Sequence, residues 1–232
     1  MRSHLFVSAL TIALAVMTPI GWAIAFPEVA VAQSVAEQKK EADRLLEEGI
    51  EKFKKGILRN GISQLELAIQ SLHKSIQIYQ QIGDQEGKAR SLQNLGVAYY
   101  IIATYHEDRQ DSTHNYAEAI RFYEESLAIF HEIKNIDRED EVLQNLESTY
   151  ATIPDYQKKL FHTKKRLIIS QNIKNINREI DLLQDLGLTY SGLLGDYIEG
   201  IRYFDKSLII ARRFKNKKEE KKLFNKFRIL LF

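Results

Sequence analysis

Apolar residues recur at intervals of three and four along almost the whole chain beyond residue 41, and the intervening positions are charged or amide-bearing. Leu92, Leu95 and Tyr99 show the spacing: on a helix these three side chains share one face and meet a partner helix there. No stretch alternates with period two between turn-forming clusters, so nothing argues for a sheet. With only 3 Pro and 11 Gly in 232 residues, long helices are rarely interrupted. The pattern predicts an all-α fold.

The helices repeat. Leu92-Gln93-Asn94-Leu95-Gly96-Val97-Ala98-Tyr99 returns as Leu143-Gln144-Asn145-Leu146-Glu147-Ser148-Thr149-Tyr150 and as Leu183-Gln184-Asp185-Leu186-Gly187-Leu188-Thr189-Tyr190, at offsets of 51 and 40 residues. Each copy is followed by a second apolar helix, running from Tyr116, Tyr156 and Tyr197 to Ile129, Ile169 and Ile210. Ile133-Lys134-Asn135-Ile136 and Ile173-Lys174-Asn175-Ile176 mark the stops between pairs, and Ile82-Gly83-Asp84 and Phe214-Lys215-Asn216 hold the same place. Two-helix units of about forty residues stack into a solenoid, because one unit cannot bury its own apolar face.

Four such units are expected within 42–216, at 42–84, 89–135, 140–175 and 180–216, with a basic helix over 217–232 capping the stack through Leu223, Phe227 and Leu230. Gly49, Gly96 and Gly187 stand where the helices of a pair approach closely, and Ala119 with Ser126, or Gly200 with Ser207, are small on the second helix. The third unit departs from this: Glu147 replaces the glycine, and Lys159 and Arg166 replace the two small residues. It is expected to be the loosest joint. Residues 101–115 lengthen the second unit and are expected to project as a polar hairpin.

Leu-x2-Leu-Gly-x2-Tyr, a Gly195-Asp196-Tyr197 turn and Ala119-Ile120-x2-Tyr123 resemble tetratricopeptide repeats. The Ile82-Gly83-Asp84-Gln85-Glu86-Gly87 linker is similar to that of exported repeat proteins common in cyanobacteria, many with a CHAT protease-like domain after the repeats. No such domain is present in this sequence. The resemblance implies a right-handed α-solenoid of antiparallel helix pairs whose concave groove, lined by the first helices, binds a protein or peptide partner. It places groove positions at Arg90, Gln93, Asn94, Val97 and Tyr100, at Glu141, Gln144, Asn145 and Ser148, and at Asp181, Gln184, Asp185 and Leu188. The Gln-Asn and Gln-Asp steps suit hydrogen bonding to a peptide backbone; a merely solvated helix face is the plainer account of any one of them. An adaptor or scaffold is the leading expectation. The alternative is a recognition subunit of an exported CHAT protease-like system with catalysis on another chain, and a remnant of a longer protein is a third.

The first 32 residues have the order of an export signal: Arg2, an apolar run from Leu5 to Val16, breaks at Pro19 and Gly21, then Ala30-Val31-Ala32. Cleavage leaves Gln33 first, with 33–41 as a linker. An uncleaved membrane anchor is the alternative, since apolar residues continue through Trp22, Ile24 and Phe26. Either way the remainder is placed across the cytoplasmic membrane, in a periplasm, a lumen or the medium.

Charge divides unevenly. Residues 33–151 carry 14 Lys and Arg against 21 Asp and Glu, a net −7; residues 152–232 carry 18 against 9, a net +9. The basic end, from Arg212 to Arg228, is a solvated face in its plainest reading and a contact for acidic headgroups or an acidic partner in the alternative. Export argues against nucleic acid.

No catalytic residue and no cofactor is assigned. The absence of Cys removes thiolate chemistry and disulfides. Gly56 to Ser63 has the glycine and serine spacing of a phosphate loop, but Ile62 stands where its lysine belongs. His106, Glu107, Asp108, Asp111 and His114 offer ligand atoms, although an inserted polar hairpin explains them more simply, and no metal is assigned. His73, His131 and His162 are isolated.

Overall fold

A computed structural model describes residues 27–59, 61–105 and 109–220. Helices α1 (Pro27–Arg59), α2 (Ile62–Ile82), α3 (Gln85–Tyr105), α4 (Arg109–Glu132), α5 (Ile136–Thr152), α6 (Tyr156–Asn172), α7 (Ile176–Leu188) and α8 (Tyr197–Arg213) succeed one another along the chain. A π-helical turn, Thr189–Leu193, prolongs α7, and another helix begins at residue 217. No strand occurs among the described residues. The fold is an all-α solenoid of antiparallel helix pairs.

The recurrent turn sequences form one device. Asp84, Asn135, Asp155, Asn175, Asp196 and Asn216 each accept a hydrogen bond from the backbone N–H three residues on, satisfying a donor that the new helix leaves open. At Asn135, Asn175 and Asn216 the preceding lysine adopts a left-handed backbone, with φ of 57°, 56° and 54° for Lys134, Lys174 and Lys215. The N–H of the capping residue then closes the previous helix, as from Asn135 to the Phe130 carbonyl and from Asn175 to the Ser170 carbonyl, each at 2.9 Å. Gly83, at φ 74°, takes the lysine's place before Asp84 without the Cβ penalty. Chain reversal therefore needs only three residues between helices.

Residues 33–41, expected as a linker, lie inside α1. The run Ser34 to Glu41 contains no Gly or Pro and is rich in Ala, Glu, Gln and Lys, so nothing in it stops a helix. Lys39 reaches Asp84 in the first inter-pair turn. Ala30, Ala32 and Gln33 also fall within α1, while the rest of the leader and the capping segment beyond residue 220 lie outside the described residues.

The pairs α1/α2, α3/α4, α5/α6 and α7/α8 pack internally and stack through α2/α3, α4/α5 and α6/α7. First helices approach their successors at α1/α3 and α3/α5, whereas the described second helices do not approach one another. First helices thus line the inner surface and second helices the outer one. Within the first, second and fourth pairs a close crossing sets a glycine against a large side chain. A Cβ on Gly96 would stand 2.5 Å from the Tyr123 ring, one on Gly49 2.8 Å from Leu72 and one on Gly187 3.0 Å from Phe204. Around these crossings Leu72, Leu95, Tyr123, Leu146, Leu186 and Phe204 are buried in layers.

His162 of α6 is buried, stacked on Tyr150 with ring centroids 5.4 Å apart, and its Nδ1 has no hydrogen-bond partner. Burial, aided by Lys165 and Lys158, pushes its pKa down to about 4. The unfolded chain takes up a proton near pH 6.5 that the folded chain resists until about pH 4, so stability should fall as pH drops through that window. The loss should reach on the order of 3 kcal/mol by pH 4. Denaturant midpoints measured across this range for the native chain and His162→Phe check the attribution: the native chain should lose more than the variant, and equal losses would assign the acid sensitivity elsewhere.

Candidate functional site

The inner surface opens between the third and fourth pairs. Helices α5 and α7 do not approach as α3 and α5 do, and a trough of about 810 Å³ lies between them. Glu141, Gln144 and Ser148 of α5 and Asp181 and Asp185 of α7 line it, with Asn177 and Arg178 at one end. Five of the expected groove residues are thus brought together. Gln144 and Ser148 are exposed, and Glu141 pairs with Arg138 at 2.7 Å.

The other expected residues are placed differently. Arg90 lies 3.8 Å from Glu47 of α1, and the Asn94 amide donates to the Arg90 carbonyl within α3, at 2.8 Å. Gln93 and Asn145 are half-buried, and Leu188 is exposed. Val97 packs into the core of the second pair. Tyr100 contacts the Tyr116 ring, and its hydroxyl lies 3.1 Å from Thr152 Oγ1. Gln184 is buried and donates to Glu219 at 3.1 Å, so the helix after α8 already engages this step of the amide ladder.

Beneath the trough lies a charge network. Arg166 donates to Glu147 at 2.7 Å and to Asp140 at 3.1 Å, and Arg178 approaches Asp140 at 3.4 Å. Lys159 donates to Asp185 at 2.5 Å and to Thr189 Oγ1 at 2.7 Å. Thr163 donates to the other oxygen of Glu147, at 2.8 Å. Burial and the neighbouring Asp185 push the Glu147 carboxyl above its usual range, against the pull of Arg166.

Aligning the pairs explains how these groups fit. Glu147 occupies the position of Gly96 and Gly187, and Thr163 that of Tyr123 and Phe204; the large residue has moved from the second helix to the first. Asp140 replaces Ala89 and Ile180, and Arg166 replaces Ser126 and Ser207. The Ser126 hydroxyl donates to the Ala89 carbonyl at 2.8 Å, whereas Arg166 reaches the Asp140 side chain instead. The expected loose joint is therefore filled by paired charges. Glu147, Lys159 and Arg166 stand out when the repeats are compared in sequence; the matching changes at Asp140 and Thr163 were the missed signal.

The other candidate sites do not assemble. Gly56 and Gly61 close the α1–α2 turn, with the Gly61 N–H bonded to the Gly56 carbonyl at 2.9 Å. His106, Glu107 and Asp108 lie outside the described residues, as does the Asp111 side chain, and His114 is exposed. Among the described residues no group of three or more His, Asp or Glu is arranged to hold a metal. No described helix is long and apolar enough to cross a membrane.

No protein-family model and no curated protein sequence matches the chain. Among solved structures it is similar to MamA protein, with 19% identity and a TM-score of 0.38 over 76% of this chain and 95% of that one. It is also similar to BtubC (BKLC) from P. vanneervenii, with 11% identity and a TM-score of 0.34 over 83% and 90%. The class assigned here, a helical-repeat solenoid of tetratricopeptide-like pairs, rests on the helix pairing above and not on those likenesses.

Breaking a buried ion pair by removing one partner costs about 3–5 kcal/mol, whereas replacing the whole set by packed residues is often neutral. Glu147→Ala should lose about that much. The five-fold variant Asp140→Ala, Glu147→Gly, Lys159→Ala, Thr163→Tyr and Arg166→Ser, which rebuilds the crossing of the second pair, should recover most of it. Urea midpoints of the three proteins decide the matter: a Glu147→Ala loss under about 1 kcal/mol would mean that the network is not a buried unit.

Proposed function

We propose that this chain is an exported, non-catalytic adaptor that holds an extended segment of a protein partner along the inner trough. The observation that carries the reading is the opening between α5 and α7. There the inner surface recedes and presents exposed amide and hydroxyl groups, Gln144 and Ser148, above a fixed charged floor. An extended peptide has unpaired backbone donors and acceptors every few ångströms, and such side chains can meet both kinds.

Export rests on the order of parts in the leader, and the mature chain on this reading begins at Gln33, within α1. A CHAT protease-like system as the partner would be a more particular form of the same function. The Ile82 to Gly87 linker that suggests it is accounted for by the turn itself, with Gly83 in the left-handed region and Asp84 capping α3 at Gly87.

The partner can be captured from the exported fraction by crosslinking and then bound to purified variants. Gln144→Ala combined with Ser148→Ala removes two or three hydrogen bonds of roughly 0.5–1.5 kcal/mol each, and should weaken binding about tenfold with helicity unchanged. The outer-surface change Gln70→Ala should have no effect. Undiminished affinity in the trough variant would overturn the assignment of the trough.

A further inference from the structure

The outermost positions of the second helices can be compared pair by pair, because Ala68, Ala119, Lys159 and Gly200 share one register and Ser75, Ser126, Arg166 and Ser207 share another. On α2 the solvent-facing row reads Glu66, Gln70, Lys74, Gln77 and Gln81, and on α4 it reads Ala117, Arg121, Glu125, Ala128 and Glu132. On α6 the same row is Gln157, Phe161, Lys165, Ile168 and Asn172, and on α8 it is Ile198, Arg202, Lys206, Ile209 and Arg213. Identical positions in one fold thus carry no large apolar residue in the first two pairs and two in each of the last two, where every charged residue of the row is basic. Packing does not call for those apolar residues: Phe161 is 55% exposed, Ile168 57%, Ile198 71% and Ile209 64%.

We propose that the outer face of α6 and α8 docks on an anionic phospholipid surface, a role separate from partner binding in the inner trough. Phe161 and Ile168 stand two turns apart, about 10 Å, and Ile198 and Ile209 three turns apart, about 16 Å, so each pair forms a straight row along its helix. Cations lie between and beside the apolar tips: Lys165 Nζ sits 4.6 Å from the centre of the Phe161 ring, and Arg202, Lys206 and Arg213 continue along the α8 row. Along α6 no acidic residue occurs at all, and on α8 only Glu199 and Asp205 oppose the positive field. Protruding apolar tips set among cations match the headgroup boundary of an anionic bilayer, where the tips enter the interface and the cations are drawn to the headgroup charge. A recess of about 670 Å³ between α4 and α6, lined by Leu127, Ala128, Ile136, Lys165 and Ile168, could seat a protein side chain at a hot spot, but Phe161, Ile198 and Ile209 lie outside it, so it accounts for Ile168 alone and a lipid surface accounts for all four tips.

The test uses the full chain and large unilamellar vesicles of phosphatidylcholine, with and without about one part in three of phosphatidylglycerol. Co-sedimentation should retain the protein on the anionic vesicles and release it from the neutral ones. An apolar variant (Phe161→Gln, Ile168→Gln, Ile198→Gln, Ile209→Gln) and a charge variant (Lys165→Gln, Arg202→Gln, Lys206→Gln) should each bind at least about tenfold more weakly. All these side chains face solvent, so circular dichroism should report unchanged helicity. The cluster from Lys217 to Arg228 is intact in both, so a loss reports on α6 and α8 alone. Retention of the apolar variant at native strength would reduce the contact to charge adsorption and overturn the proposal. So would failure to bind anionic vesicles, and binding to soluble polyglutamate in that case would assign the face to an acidic protein.

Discussion

Two helices can close into a pair only if one of them leaves out a side chain where the other places a large one, and the whole solenoid depends on that exchange of volume. Gly96 makes room for Tyr123 and Gly187 for Phe204, and a single Cβ at either glycine would intrude on the opposing ring. Closed this way, each pair offers one apolar face to the next. The three-residue turns with Asn or Asp caps then bring the chain back fast enough for the faces to meet. Repeat structures gain stability only from such neighbour contacts, so an error at one crossing would propagate to the joints on either side.

The third pair meets the same constraint by inverting it. Thr163 is small where the other second helices are large, and Glu147 fills the space from the first helix. A buried carboxylate needs a cation, which Arg166 and Lys159 supply from positions that are small elsewhere. These cations in turn require Asp140 and Asp185. The five changes within the third pair, at Asp140, Glu147, Lys159, Thr163 and Arg166, are one event in physical terms, because any of them alone would bury an unpaired charge or leave a void. The trough lies over this pair, where α5 and α7 stay apart, so the departure from the repeat pattern and the opening coincide.

Much of this was legible in the chain. Period and pairing are visible in the three Leu-Gln-Asn-Leu-like segments, and the Lys-Asn stops coincide with the left-handed residue and cap of each turn. The close approach of Gly96 and Gly187 could be read from spacing alone. The linker expected at 33–41 was not, since helix propensity there continues upstream of the first core contacts at Ala42 and Leu45. Nor was the compensation of Glu147 by Thr163, because it appears only when α5 and α6 are superposed on the other pairs as a unit. Gln184 is equivalent in sequence to Gln93 and Gln144, yet its surroundings are not: a further helix lies against α7 and takes up its amide.

Charge summed by halves also concealed the more informative division, which runs between faces. The excess of cations after residue 151 includes Lys159 and Arg166, which are committed to buried partners, and Lys165 and Lys206, which stand on the outer rows. Only the second kind is available to a surface. A tally of sequence charge treats them alike, although one set stabilises the joint and the other can act at long range. The first two pairs, with glycine crossings and polar outer rows, need no feature beyond those that hold a solenoid together. The last two carry an ionic crossing, an open trough and exposed apolar rows, none of which helix pairing requires. Functional departures are easiest to accommodate where stable neighbours hold the stack, and pairs one and two provide that support for the half of the molecule on which both proposed contacts fall.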